Sequence, residues 1–130
     1  VASVLIGKHT DKIENDRPVG VRSVPVLLGE RASLALNKAT FVAFYVLIAA
    51  LVLTGVAGPW LLLTLLALPR LVTAWRIYSQ PKPASKPEDW PVWPLWYVGW
   101  AMYFNRRAGA LFILGLILNL VVPEIAGLLG

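Results

Sequence analysis

Three acids and three bases alternate within residues 11–22: Asp11, Lys12, Glu14, Asp16, Arg17 and Arg22. The wider stretch, residues 7–31, adds Lys8, Glu30 and Arg31. Acids three to five residues apart on helical turns can bring at least two carboxylates onto one ion. A carboxylate pair flanked by Lys and Arg suits a Mg²⁺–diphosphate ligand. Mg²⁺ takes few protein carboxylates and fills its remaining positions with phosphate oxygens and water, while arginine adds bidentate bonds to phosphate. Acids alone repel a diphosphate, and bases alone do not hold the metal. The plainer reading is a solvated loop in which Asn15-Asp16-Arg17-Pro18 forms a turn. Residue types by themselves leave both open. The chain has no cysteine, which removes disulfides, thiolate metal sites and thiol nucleophiles.

The elements that must position this stretch read as hydrocarbon. Apolar residues make up 58% of the chain and charged residues 15%, with mean hydropathy +0.67. A soluble fold of this length has too little interior to hide that much apolar surface. Lipid is the natural solvent, and the expected class is an all-α membrane protein. Residues 39–56 carry no charge and meet the roughly 20-residue requirement for a span. A short turn follows, with Pro59 well placed at a helix start. Residues 59–78 make a second span, interrupted by Pro69-Arg70, and residues 108–122 a third, ending in Pro123-Glu124 and an apolar outer tail to 130. Residues 1–6 read as the end of a preceding span. Residues 7–38 form the Asp-rich loop and the start of the next helix. Residues 79–107 combine a proline-rich loop with an aromatic-rich interfacial helix.

Eleven of the twelve Lys and Arg residues lie in residues 7–38 and 76–107, and none lies in the turn at 57–59 or after residue 122. The positive-inside rule therefore places both long connections in the cytoplasm, with the protein in the cell inner membrane if the cell is bacterial. The same rule accounts for the net charge of +5 without nucleic acid as a partner. Arg70 falls within the second span. Either it snorkels to the headgroups beside a Pro69 bend, or it faces a polar cavity and an anionic ligand. Trp93, Trp96, Trp100 and Tyr103 fall at helical spacing and suit an interfacial anchor that Asn105-Arg106-Arg107 ends in water. Aromatics of this kind, Tyr97 and Tyr103 among them, can instead stabilise a cation.

"DKIENDRPVGVRSVPVLLGE", residues 11–30, resembles the second aspartate-rich motif of the UbiA superfamily of intramembrane prenyltransferases. The likeness lies in Ile13-Glu14, Asp16-Arg17, Gly20, Arg22 and the Pro25–Gly29 ending. The three spans and the Trp-rich approach to the last also resemble the C-terminal third of that nine-helix bundle. The resemblance implies two facing aspartate motifs that hold Mg²⁺ on a polyprenyl diphosphate. It makes Asp16 a metal ligand, with Glu14 as helper, and sets Arg17 and Arg22 near the diphosphate. The family motif places an aspartate four residues before its second one, and here that position is Lys12. Either Asp11 takes over as metal ligand, or Lys12 binds phosphate as a point charge, or the site has lost its metal.

The resemblance implies transfer of a polyprenyl group from its diphosphate to a lipid-soluble acceptor, aromatic or tetrapyrrole in type. The first aspartate motif is not in these residues, so the expectation is the C-terminal portion of such an enzyme, without catalytic residues of its own. Its partners would be membrane lipids, polyprenyl diphosphate and a missing N-terminal half. The alternative is a non-catalytic UbiA-like subunit among other membrane subunits. Gly55, Gly109 and Gly115 would then permit close helix packing.

Overall fold

The computed structural model describes the backbone of residues 1–129 and the side chains of residues 1–122. The described residues form α1 (Ala2–Thr10), α2 (Ile13–Asp16), α3 (Val24–Leu28) and α4 (Glu30–Leu53). A 3₁₀ helix (Pro59–Ala67) then leads into α5 (Leu68–Ile77), and α6 (Tyr97–Leu129) completes the chain. There is no strand among them. Glu30–Leu53, the continuous Pro59–Ile77 and Tyr97–Val122 are long and apolar enough to cross a membrane. The all-α class and its three spans are as the sequence indicates.

The change from 3₁₀ helix to α-helix falls at Leu68, immediately before Pro69. Proline lacks an N–H and is tolerated in the first turn of an α-helix, where that donor has no intrahelical partner. It lies in the first turn of α5. In lipid the backbone polar groups need internal partners. The Tyr45 hydroxyl of α4 donates to the Thr64 carbonyl at 3.1 Å. Asn119 of α6 accepts from Trp60 N–H at 3.2 Å and donates to the Gly58 carbonyl at 3.2 Å. Gly115 permits the close approach of α6 to the 3₁₀ helix, since a Cβ there would stand 2.6 Å from the Trp60 carbonyl oxygen. A Cβ at Gly55 or Gly109 would meet nothing within 4 Å.

The core lies toward the charged end. Phe41 of α4 meets Phe104 of α6 edge-on with ring centroids 4.8 Å apart, and Tyr78 at 5.7 Å. A buried polar chain runs through the same layer. Asn37 donates to the Ser3 carbonyl (2.9 Å) and to the Tyr78 hydroxyl (3.2 Å), which donates to the Tyr97 carbonyl (2.7 Å). It joins α1, α4 and α6 to the residue that follows α5. Buried polar groups need such partners, because each one left unpaired costs roughly 1–3 kcal/mol.

Helix α4 begins at Glu30, within residues 7–38, the stretch read as Asp-rich loop and helix start. One boundary differs from the sequence expectation. The aromatic-rich segment and the third span form one helix, which starts at Tyr97 and passes through Asn105-Arg106-Arg107 without a break. Pro91 and Pro94 keep Trp90–Trp96 out of helix by removing donors and restricting the residues before them. Trp90 folds back onto the open face of Gly99, where an added Cβ would collide with its ring. Its indole N–H donates to the Leu95 carbonyl at 2.8 Å, and it stacks on Trp100 with centroids 5.2 Å apart. The apolar tail expected after Pro123-Glu124 lies outside the described side chains.

Candidate functional site

The acid-and-base stretch is a compact turn. After α2, the Gly20 N–H donates to the Arg17 carbonyl (3.3 Å) and the Val21 N–H to the Asp16 carbonyl (3.1 Å). This pair of bonds is a Schellman closure, which needs a residue in left-handed conformation at its centre. Gly20 supplies it with φ +76°. Ser23 then caps α3 by accepting from the Val26 N–H at 3.4 Å. The closure holds Asp16 and Arg17 at the bend and sends the chain back toward Arg22.

The three acids part company within this turn. Asp11 points inward, with its side chain closed to solvent. Its two oxygens accept from the Tyr97 and Val98 N–H groups, each at 3.0 Å. Those are the first two residues of α6, whose leading N–H groups have no partner within the helix. Asp11 is thus an N-cap supplied across the fold, favoured also by the positive end of the helix dipole. Lys82 stands 3.7 Å from one of its oxygens. Burial pushes the Asp11 carboxyl above its ordinary range, outweighing the N–H groups of Val98, Tyr97 and Trp96 and the Lys82 charge, which pull it down. Close approach of α1 makes the cap possible: a Cβ on Gly7 would lie 3.0 Å from Val98 backbone atoms.

Asp16 is the half-buried acid with acceptor capacity to spare. It meets His9, with Nδ1 3.5 Å from Oδ2, too long for a strong bond. Glu14 is exposed and stands two residues from Asp16 on α2, a spacing that puts helical side chains on different faces. Among the described residues no three His, Asp or Glu groups converge to hold a metal. A magnesium ion needs only one or two protein carboxylates when phosphate completes its shell. Asp16 fits that limited role. Asp11, enclosed and engaged by two N–H groups, does not. Arg17 and Arg22 are exposed and Lys12 half-exposed, so the cationic groups are open to an anionic ligand.

Of the proposed cavity residues, Arg70 and Tyr103 come together and Tyr97 lies elsewhere. The Arg70 guanidinium sits 4.4 Å from the Tyr103 ring centroid and donates to the Tyr103 carbonyl at 3.1 Å. Both line a groove of about 650 Å³ between α5 and α6. Tyr97 is fully buried, its hydroxyl donating to Glu30 at 3.1 Å. A second, apolar groove of about 890 Å³, lined by Phe41, Phe44, Leu47 and Phe112 among others, runs between α1, α4 and α6 and shares Met102 and Arg106 with the first.

Sequence reasoning passed over His9 and Lys82. His9 was discoverable, since it precedes Asp16 by seven residues within the same charged stretch. Nothing in the proline-rich loop marks Lys82 as the neighbour of Asp11.

The profile of the UbiA prenyltransferase family matches residues 1–98. The chain is 30% identical over 80 residues to a 1,4-dihydroxy-2-naphthoate octaprenyltransferase of Bacillus subtilis (strain 168), an alignment covering 62% of this chain and 26% of that protein. The chain thus spans about a quarter of the length of the curated relative it matches. No solved structure matches it. With the family profile covering most of its length, including the whole Asp16 turn, this helical membrane protein belongs to the UbiA prenyltransferase family.

Proposed function

We propose that this chain supplies one side of a diphosphate-binding site in a prenyltransferase, which moves a polyprenyl group from its diphosphate to a lipid-soluble aromatic acceptor. The observation that carries the reading is the division of labour among the acids. The turn keeps Asp16 available beside exposed Arg17 and Arg22, while Asp11 is used to fasten that turn to α6. The aromatic acceptor is suggested by the printed name of the Bacillus subtilis relative.

UbiA prenyltransferases generally use Mg²⁺, and Asp16 is the residue here that would hold it, with Glu14 reserved for a helper role through solvent. When bound, the ion supplies positive charge against the diphosphate. The chain's own residues do the rest. Arg17 and Arg22 hold phosphate oxygens by charge-assisted bonds, and Lys12 adds a point charge at the position where the family motif carries an aspartate. Such fixed cations stabilise negative charge as it gathers on a departing diphosphate. The apolar groove between α1, α4 and α6 offers a dry wall for the prenyl tail, and exclusion of water protects an allylic cation from capture. Asp11, expected among the metal ligands, is reassigned to positioning because its carboxylate is spent on the start of α6.

The test is prenyl transfer by the intact protein. Asp16→Ala should lower Mg²⁺-dependent turnover by at least about a hundredfold, in line with removal of a charge-stabilising group from a preorganised site. Unchanged turnover would defeat the assignment of Asp16, and no turnover in the wild type would leave the non-catalytic subunit in its place.

A further inference from the structure

The groove between α5 and α6 is not explained by prenyl transfer. It gathers Arg70, Arg106 and Arg107 with Trp90, Tyr103 and Met102 along a volume of about 650 Å³, and no carboxylate lines it. Among the described residues none of the three arginines is paired with an acid: the ion pairs are His9–Asp16 and Lys82–Asp11. The groove thus carries three positive charges with no carboxylate in its lining to balance them. Arg70 is fixed in place by the Tyr103 ring and carbonyl. That contact uses one of the five guanidinium N–H donors and leaves the others to the groove.

Position along the helix narrows the ligand. Arg106 and Arg107 immediately precede Ala108–Val122, the uncharged stretch of α6, so they stand where the helix leaves hydrocarbon. Trp90 and Tyr103 are amphipathic rings of the type that settle at headgroup level. A soluble anion would find the charges but has no use for the apolar lining. An amphiphile uses both, and basic pockets between membrane helices recognise anionic lipid headgroups.

We propose that this groove binds the phosphodiester headgroup of an anionic phospholipid. Arg106 and Arg107 contact the phosphate from α6 and Arg70 closes on it from α5. The phosphate chemistry is shared with polyprenyl diphosphate and with free phosphate, and competition separates the three sources.

The intact protein in detergent is supplied with phosphatidylglycerol or with phosphatidylcholine of the same acyl chains, and bound lipid is read by native mass spectrometry. The expected result is one tightly held phosphatidylglycerol, preferred over phosphatidylcholine by about tenfold or more, since basic residues near the headgroup favour net negative charge. The preference should disappear in R106Q/R107Q and fall in Arg107→Gln alone, an exposed position whose change spares the fold. Millimolar inorganic phosphate should not displace the lipid, and geranylgeranyl diphosphate should compete no better than phosphatidylglycerol itself. Equal binding of the two lipids, an unaltered preference in both variants, displacement by inorganic phosphate, or stronger competition by the prenyl diphosphate would each overturn the assignment.

Discussion

Asp11 and Asp16 stand five residues apart in one charged turn and meet different surroundings. Asp11 satisfies two N–H groups at the start of α6. Replacing it with Ala leaves both without an acceptor and should cost roughly 1–3 kcal/mol, seen as a lowered melting temperature in detergent. Asp11→Asn, which keeps one acceptor, should cost less. The pH dependence has a definite sign. Burial raises the folded-state pKa of Asp11 above the ordinary 3.8, so the folded protein holds this proton more tightly than the unfolded chain. The associated stability is complete below the unfolded value and is lost as pH rises through the folded one. Melting temperatures of wild type minus Asp11→Asn should therefore fall as pH rises from about 4, then level off. A difference that climbs over that interval would contradict the burial effect. The sequence showed that these acids and bases belong together, but it did not show which acid faces outward. Asp11 looked like a ligand because its actual partners, Tyr97 and Val98, lie 86 and 87 residues away, a pairing that no local spacing signals.

Helix existence was legible where hydrocarbon requires it, and helix ends were not. An uncharged run long enough to cross lipid identifies itself, so residues 39–56, 59–78 and 108–122 each mark a span. Beyond the hydrocarbon, hydropathy falls silent and tertiary contacts decide. Glu30–Lys38 continues α4 because Ser33 and Asn37 turn into the core, where both are fully buried. Tyr97–Arg107 continues α6 because Asp11 caps its start and Gly7 admits α1 against it. The switch from 3₁₀ to α-helix beside Pro69 was foreshadowed as an interruption, since a missing N–H is visible in any sequence. The contact between the 3₁₀ helix and α6 gives a test at this scale. Gly115→Leu would force the Trp60 carbonyl away from α6 and should destabilise the protein by about 1–3 kcal/mol, the usual cost of overpacking. Gly109→Leu, where an added Cβ meets nothing, should be tolerated within about 0.5 kcal/mol. Equal losses in paired melting curves would refute the packing described here.

At the scale of the molecule, three spans carry a polar layer at one end, and the Asp16 turn, the α6 cap and the Asn37–Tyr78 chain all belong to that layer. The distribution of bases predicts that this end faces the cytoplasm. Because the chain has no cysteine, single substitutions report sidedness cleanly. Ser85→Cys in sealed inside-out vesicles should react with a membrane-impermeant maleimide, and Ala57→Cys should react only in the opposite orientation. The reverse pattern would invert the topology. The central claim, that Asp16 and its neighbouring arginines hold one side of a Mg²⁺–diphosphate site, is tested most directly by equilibrium binding of a non-reactive prenyl thiodiphosphate to the intact protein with and without Mg²⁺. The account predicts that Mg²⁺ strengthens binding in wild type and in Asp11→Asn, and that Asp16→Asn abolishes this strengthening. Mg²⁺-dependent binding that survives in Asp16→Asn and vanishes in Asp11→Asn would contradict it.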